Sequence, residues 1–176
     1  MEQLNSKISI HWYWIAGLVL LLAFSRLIPH PPNFTPLGAM AILAGATIKD
    51  LRLGIFIPIA AMLVSDALIG FHSSVFFVYA AVITMVVLSR ICLARYTVAR
   101  LAGTAVAASI VFYVVTNFGA WLSHDMYAHT ASGLWQAYVA GIPFFRNTLL
   151  SNLLFTAISF YVLMFVPRNW QTVRGS

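Results

Sequence analysis

The chain has 176 residues, of which 61% are hydrophobic and only 8% charged, with a mean hydropathy of +0.90. Soluble domains carry about a quarter charged residues, so this composition excludes one and points into lipid. A single cysteine, Cys92, excludes an internal disulfide framework and any CxxC metal or redox motif.

Six apolar segments follow one another, at about 9–28, 36–48, 51–71, 74–94, 98–122 and 146–167. At roughly 20 residues per crossing they predict an all-α membrane protein, one integral-membrane domain over 1–176 with six transmembrane helices. The first segment carries Trp12, Tyr13 and Trp14, has Arg26 near its end and lacks a small-x-small cleavage site, so it reads as a retained span and not a signal peptide. The second segment is short and is entered through Pro29-His30-Pro31-Pro32-Asn33-Phe34-Thr35-Pro36. Proline removes backbone donors and breaks helices, so this string is expected to form a stiff loop that dips back into the protein. The longest connection, about 123–145, contains Trp135 and Tyr138 and reads as an outer lid loop or an interfacial helix.

The basic residues set the expected orientation. If all six segments cross, Lys7, Lys49, Arg52, Arg90, Arg95, Arg100, Arg168 and Arg174 fall on one side, and Arg26 and Arg146 on the other. Eight against two is a positive-inside signal that predicts both termini in the cytoplasm of a bacterial inner-membrane, multi-pass protein. The net charge of +6 is therefore read as a topology signal, with the lipid bilayer and not nucleic acid as the partner.

The same topology gathers the residues able to recognise something at the outer ends of the spans. The candidate ligand-binding residues are Arg26, His30, Asn33, Asp66, His72, Tyr79, Asn117, Trp121, Tyr127, Arg146, Asn147 and Asn152. Polar groups within a membrane are costly and generally face a cavity or a partner. Asp66 lies about 22 Å along its span, at 1.5 Å per residue, and needs a cation there. Arg26 and Arg146 are the strong cations at that depth, and such a pair serves either helix register or ligand binding. Asn117, Asn147 and Asn152 are expected to floor the pocket, beneath a mouth where the Pro31–Pro36 stretch meets the 123–145 connection and where Trp121, Tyr127, Trp135 and Tyr138 offer stacking surfaces.

Other chemistries find less in the residues. His30, His72, His124 and His129 invite a cobalt or nickel uptake reading, since imidazole ligates both metals. No HExxH pattern is present, however, and the ligands would have to come from separate loops; no metal or cofactor is assigned. Intramembrane catalysis finds no GxSG elbow and no phosphate-cradling glycine loop, and Ser65 and Asp66 are expected to point to different helix faces. The chain is read as a non-enzyme, and without a Walker motif it cannot drive transport by its own ATP hydrolysis.

Several strings resemble an uncharacterised family of small bacterial membrane proteins. They are Arg26-Leu27-Ile28-Pro29 through Pro36, Ser65-Asp66 with Gly70-Phe71-His72, Thr116-Asn117-Phe118 with Trp121, and Gly141-Ile142-Pro143-Phe144-Phe145-Arg146-Asn147-Thr148-Leu149. That family is similar to the substrate-binding S components of energy-coupling-factor (ECF) vitamin transporters. The resemblance implies a six-helix bundle with an outward-facing ligand pocket, a vitamin-like small molecule as ligand, and a partner module of one ECF scaffold subunit and two ATPase subunits. An acidic residue follows the Asn-Thr-Leu segment in the family pattern, where this chain has Ser151-Asn152, which implies a different substrate if that acid binds ligand. The first span also lacks the Ala-xxx-Ala docking pattern of many S components. The small-residue pairs Ala41/Gly45 and Gly103/Ala107 are expected to pack within the bundle. The competing reading is a non-transporting membrane scaffold or assembly protein, whose outer end would be filled by side chains.

Overall fold

The computed structural model describes Gly17 and residues 19–165, with side chains to residue 162. Lys7, Arg168, Arg174 and the aromatic run Trp12–Trp14 lie outside the described residues, as do the ends of the first and last expected spans. Among the described residues every regular element is helical: α1 (19–27), α2 (Leu37–Thr47), α3 (Leu51–Ile69), α4 (Val75–Cys92), α5 (Val98–Ser123) and α6 (Ala131–Phe165).

Local chemistry starts and stops these helices. The Asp50 side chain accepts from the Arg52 amide at 2.9 Å, and the Thr97 side chain accepts from the Arg100 amide at 3.2 Å, each capping a helix N-terminus. Gly70 ends α3 with φ 108°, a left-handed value that costs glycine little. Pro36 opens α2, where a missing amide donor is tolerated.

Helices α3, α4 and α5 are long and apolar enough to cross a membrane. Only 39%, 33% and 22% of their most apolar windows are buried inside the protein. The rest of that apolar surface, with residues such as Phe76 at 80% and Leu68 at 67% exposure, faces outward. A face of this size is stable against lipid and not against water.

Helix α2 is the exception. Its 11 residues rise about 16 Å, half of a hydrocarbon core of about 30 Å. It packs against α3, α4, α5 and α6, with Ala39, Ala41 and Ile42 fully buried, so it is the axis of the bundle. Its apolar character all round follows from that position. Gly45 lets α2 meet α4 closely, because a Cβ there would collide with the Val86 carbonyl, and the Ser89 hydroxyl donates to the Ile42 carbonyl across the same contact. The Ala41/Gly45 pair thus packs within the bundle as expected. Gly103 does not: it is exposed, with open space beside it.

The 123–145 connection differs from the expectation of a long lid loop. Only 124–130 is loop, and α6 continues unbroken from Ala131 through Pro143 to Phe165, 35 residues in all. At about 52 Å it is far longer than a bilayer crossing. Pro143 does not break it, and the Thr148 hydroxyl donates to the Phe144 carbonyl one turn on. From Ala131 onward the stretch is helical and fused to the last segment.

The loops 29–36, 70–74 and 124–130 meet at one end of the bundle. Asn147 donates to the Pro32 carbonyl at 2.9 Å, Ser151 donates to the Asn33 carbonyl at 3.4 Å, and Ser73 bonds the His124 ring. The proline-rich loop therefore rests on α6. At the opposite end, Arg90 donates to the Ile48 and Lys49 carbonyls and Tyr96 to the Ala46 carbonyl, closing the C-terminus of α2.

Candidate functional site

Arg26 stands on the last turn of α1 and reaches α3. Its Nη1 is 2.7 Å from Asp66 Oδ1, donates to the Ser65 hydroxyl, and lies 3.4 Å from the Met62 carbonyl. Met62, Ser65 and Asp66 are spaced i, i+3, i+4 and so share one face of α3. Ser65 and Asp66 are both buried. The expectation that they point to different faces is corrected here, because the guanidinium sits between them and meets both. The second carboxylate oxygen, Oδ2, accepts from the Tyr79 hydroxyl at 2.8 Å. One buried carboxylate therefore ties α1, α3 and α4 together. The pairing is with Arg26 and not Arg146, which is exposed and without a polar partner among the described residues.

Beside this cluster lies a cavity of about 520 Å³, within the usual size of small-molecule sites. Arg26 forms part of its wall, and His30, Asn33, His72 and His124 line it from the loop end. Thr148, Ser151 and Asn152 line it from α6, and Val78, Val82, Met85 and Phe112 supply an apolar side. A second cavity of about 340 Å³ adjoins it, sharing Asn33, Ser74, Thr116 and His124 and adding Asn117 and Tyr127.

The floor is held by close packing. Asn152 is 1% exposed and donates to the Ser109 hydroxyl at 3.0 Å. Its carboxamide oxygen lies so near Gly38 that a Cβ there would collide with it. Asn33, at the mouth, has φ 63°, a left-handed conformation that asparagine tolerates better than most residues.

Of the remaining expected residues, Asn117 and Tyr127 line the second cavity and the others fall elsewhere. Trp121 donates to the Ala128 carbonyl at 2.9 Å and meets Phe118 at a tilt and His129 edge-on, so it holds the 124–130 loop back and lines neither cavity. Trp135 is 70% exposed, and Tyr138 donates to the Val114 carbonyl beside the Tyr113 ring. Neither lines the cavities, which leaves Tyr127 as the aromatic of that set that does. Asn147 is spent on the Pro32 carbonyl, and Asn117 donates to the Tyr113 carbonyl at 2.8 Å.

His30 donates through Nδ1 to the Pro31 carbonyl at 2.9 Å, His72 bonds Ser74 at 3.1 Å, and His124 bonds Ser73. Among the described residues no three His, Cys, Asp or Glu side chains gather as a metal site.

A family model described as a family of unknown function (DUF6580) matches residues 6–173, nearly the whole chain. The chain belongs to that family. No curated protein and no solved structure matches it.

In this DUF6580 chain the cavity also uses Thr148 and Ser151, which sequence reasoning passed over. With the expected Asn152 they repeat at i, i+3, i+4, a polar stripe on an apolar helix that marks an inward face. That signal was available in the sequence. Val78, Val82 and Met85 carried none, because α4 is apolar on every face and the cavity side looks like the lipid side.

Proposed function

We propose that this chain is a multi-pass protein of the bacterial inner membrane that binds a vitamin-like small molecule for uptake, energised by a separate ATPase module. The reading rests on one observation above all: a cavity of about 520 Å³ with mixed polar and apolar lining, opening among three loops at one end of the bundle. Lys49, Arg52, Arg90, Arg95 and Arg100 lie at the other end, in and beside the 48–50 and 93–97 connections. The positive-inside rule then turns the cavity outward and both termini inward, with six crossings. In this arrangement the short α2 completes its crossing through the proline-rich loop, which is acceptable in a bilayer because protein and cavity surround that loop. A scaffold or assembly protein has no use for such a cavity and would fill it with side chains. The ECF scaffold and ATPase subunits are the partners this reading implies.

The test is native mass spectrometry of gently purified protein, followed by uptake in cells with and without the gene. A small molecule that co-purifies and is released by a cavity-filling Val78→Trp substitution is the expected result. Protein free of any small molecule, with uptake unchanged across a panel of micronutrients, overturns the proposal.

A further inference from the structure

The cavity wall contains a feature that specifies ligand chemistry beyond size. Arg26 is fixed from one side only. Its contacts to Asp66, Ser65 and Met62 all leave from Nη1. Nε and Nη2 make no further hydrogen bond among the described residues, and the side chain keeps 18% exposure while lining the cavity. An Nε–Nη2 edge offers two parallel N–H donors, the geometry that matches the two oxygens of a carboxylate. The edge is also pre-organised, since the ion pair and the Ser65 contact hold the guanidinium before any ligand arrives, and little side-chain entropy is left to lose.

The rest of the lining agrees. Among the described residues neither cavity is lined by an Asp or Glu side chain. Asp66 is 1% exposed, with one oxygen on Arg26 and the other on Tyr79, so it balances the guanidinium from behind without facing the ligand. The lining also includes Val78, Val82, Met85 and Phe112, which suit a hydrocarbon or aromatic body and not a second charged group.

We propose that the cavity takes an amphipathic organic acid, with its carboxylate on the Nε–Nη2 edge of Arg26 and its apolar body against α4 and α5. This rests on the ligand-binding reading above and adds the substrate class. Asp66 then acts as a positioning residue for Arg26.

The test uses the full-length protein in nanodiscs of zwitterionic lipid, titrated calorimetrically with 3-phenylpropanoate, its primary amide, the corresponding amine, and inorganic phosphate. Charge-assisted hydrogen bonds give the acid an expected preference of about 10- to 100-fold over the amide, with weaker binding still of the amine. Arg26→Lys keeps a cation for Asp66 but has no two-donor edge, so it should fold and lose most of that preference while still binding the amide. Val78→Trp should abolish binding of both acid and amide with the ion pair intact. Equal affinity for acid and amide, or an Arg26→Lys protein that keeps the full preference, overturns the carboxylate assignment and leaves the binding cavity standing. Phosphate that binds more tightly than the acid reassigns the edge to phosphate and also overturns it. If none of the probes binds and Val78→Trp changes nothing, the carboxylate assignment falls together with the ligand-binding reading.

Discussion

The Arg26–Asp66 ion pair joins α1 to α3 through a buried carboxylate. Removing one partner of a buried ion pair leaves the other charge desolvated, which typically costs about 3–5 kcal/mol when the site is dry. The partial exposure of Arg26 toward the cavity places Asp66→Asn toward the low end, at about 3 kcal/mol. A double-mutant cycle over Arg26 and Asp66, read by chemical or thermal unfolding in detergent, should give a clear coupling; additive effects would reject the clamp. Tyr79→Phe leaves one carboxylate oxygen without its donor and should cost about 1–3 kcal/mol. Gly38→Ala is a sharper probe of the floor. Its added methyl meets the Asn152 carboxamide, which Ser109 holds in place. The expected result is a shifted Asn152 and weakened ligand binding, measured by titration, with the helices retained in circular dichroism.

At the level of elements, the proline-rich loop and α6 behave as one unit. The loop rests on Asn147 and Ser151, and Phe34 meets Phe155 edge-on with ring centres 5.8 Å apart. Asn147→Ala removes the bond to Pro32 and should loosen the loop by about 1 kcal/mol. Amide exchange around Asn33 and Phe34 should then run about fivefold faster, read by mass spectrometry. Unchanged exchange would mean that the loop holds its place without α6. Because α6 is one 35-residue helix, the connection between α5 and α6 is only the seven-residue stretch 124–130, held by Trp121.

For the whole molecule, two opposite ends with different chemistry make orientation testable. One end carries the cavity with His30, His72 and His124, the other the basic residues around Arg90. In a Cys92→Ser background, a single cysteine at position 72 should react with an impermeant reagent applied outside intact cells. Cysteines at positions 5 and 172 should be protected until the membrane is opened. Labelling of either terminus from outside would refute the six-span orientation.

What the residue string settled by itself was the chemistry of place. Its apolar runs require lipid, its proline string ends a helix wherever it falls, and a carboxylate at position 66 within an apolar span requires a cation. These follow from local physics: desolvation, a missing amide donor, the 3.6-residue turn. The tertiary structure chose between candidates that local physics treats alike. Arg26 and Arg146 were equivalent by depth, and only the packing of α1 on α3 brings Arg26 to the carboxylate. The stretch after residue 130 satisfied both a loop and a helix, and the continuous backbone of α6 made it helical. The aromatics near the mouth looked interchangeable until Trp121 was drawn onto Ala128 and Tyr138 onto Val114. Part of the cavity's polar lining was expected, at Arg26, His30, Asn33, His72 and Asn152, but its apolar wall was out of reach of the sequence, because an apolar face turned to lipid and one turned to an internal space have the same composition. What separates them is which neighbour the packed bundle places opposite.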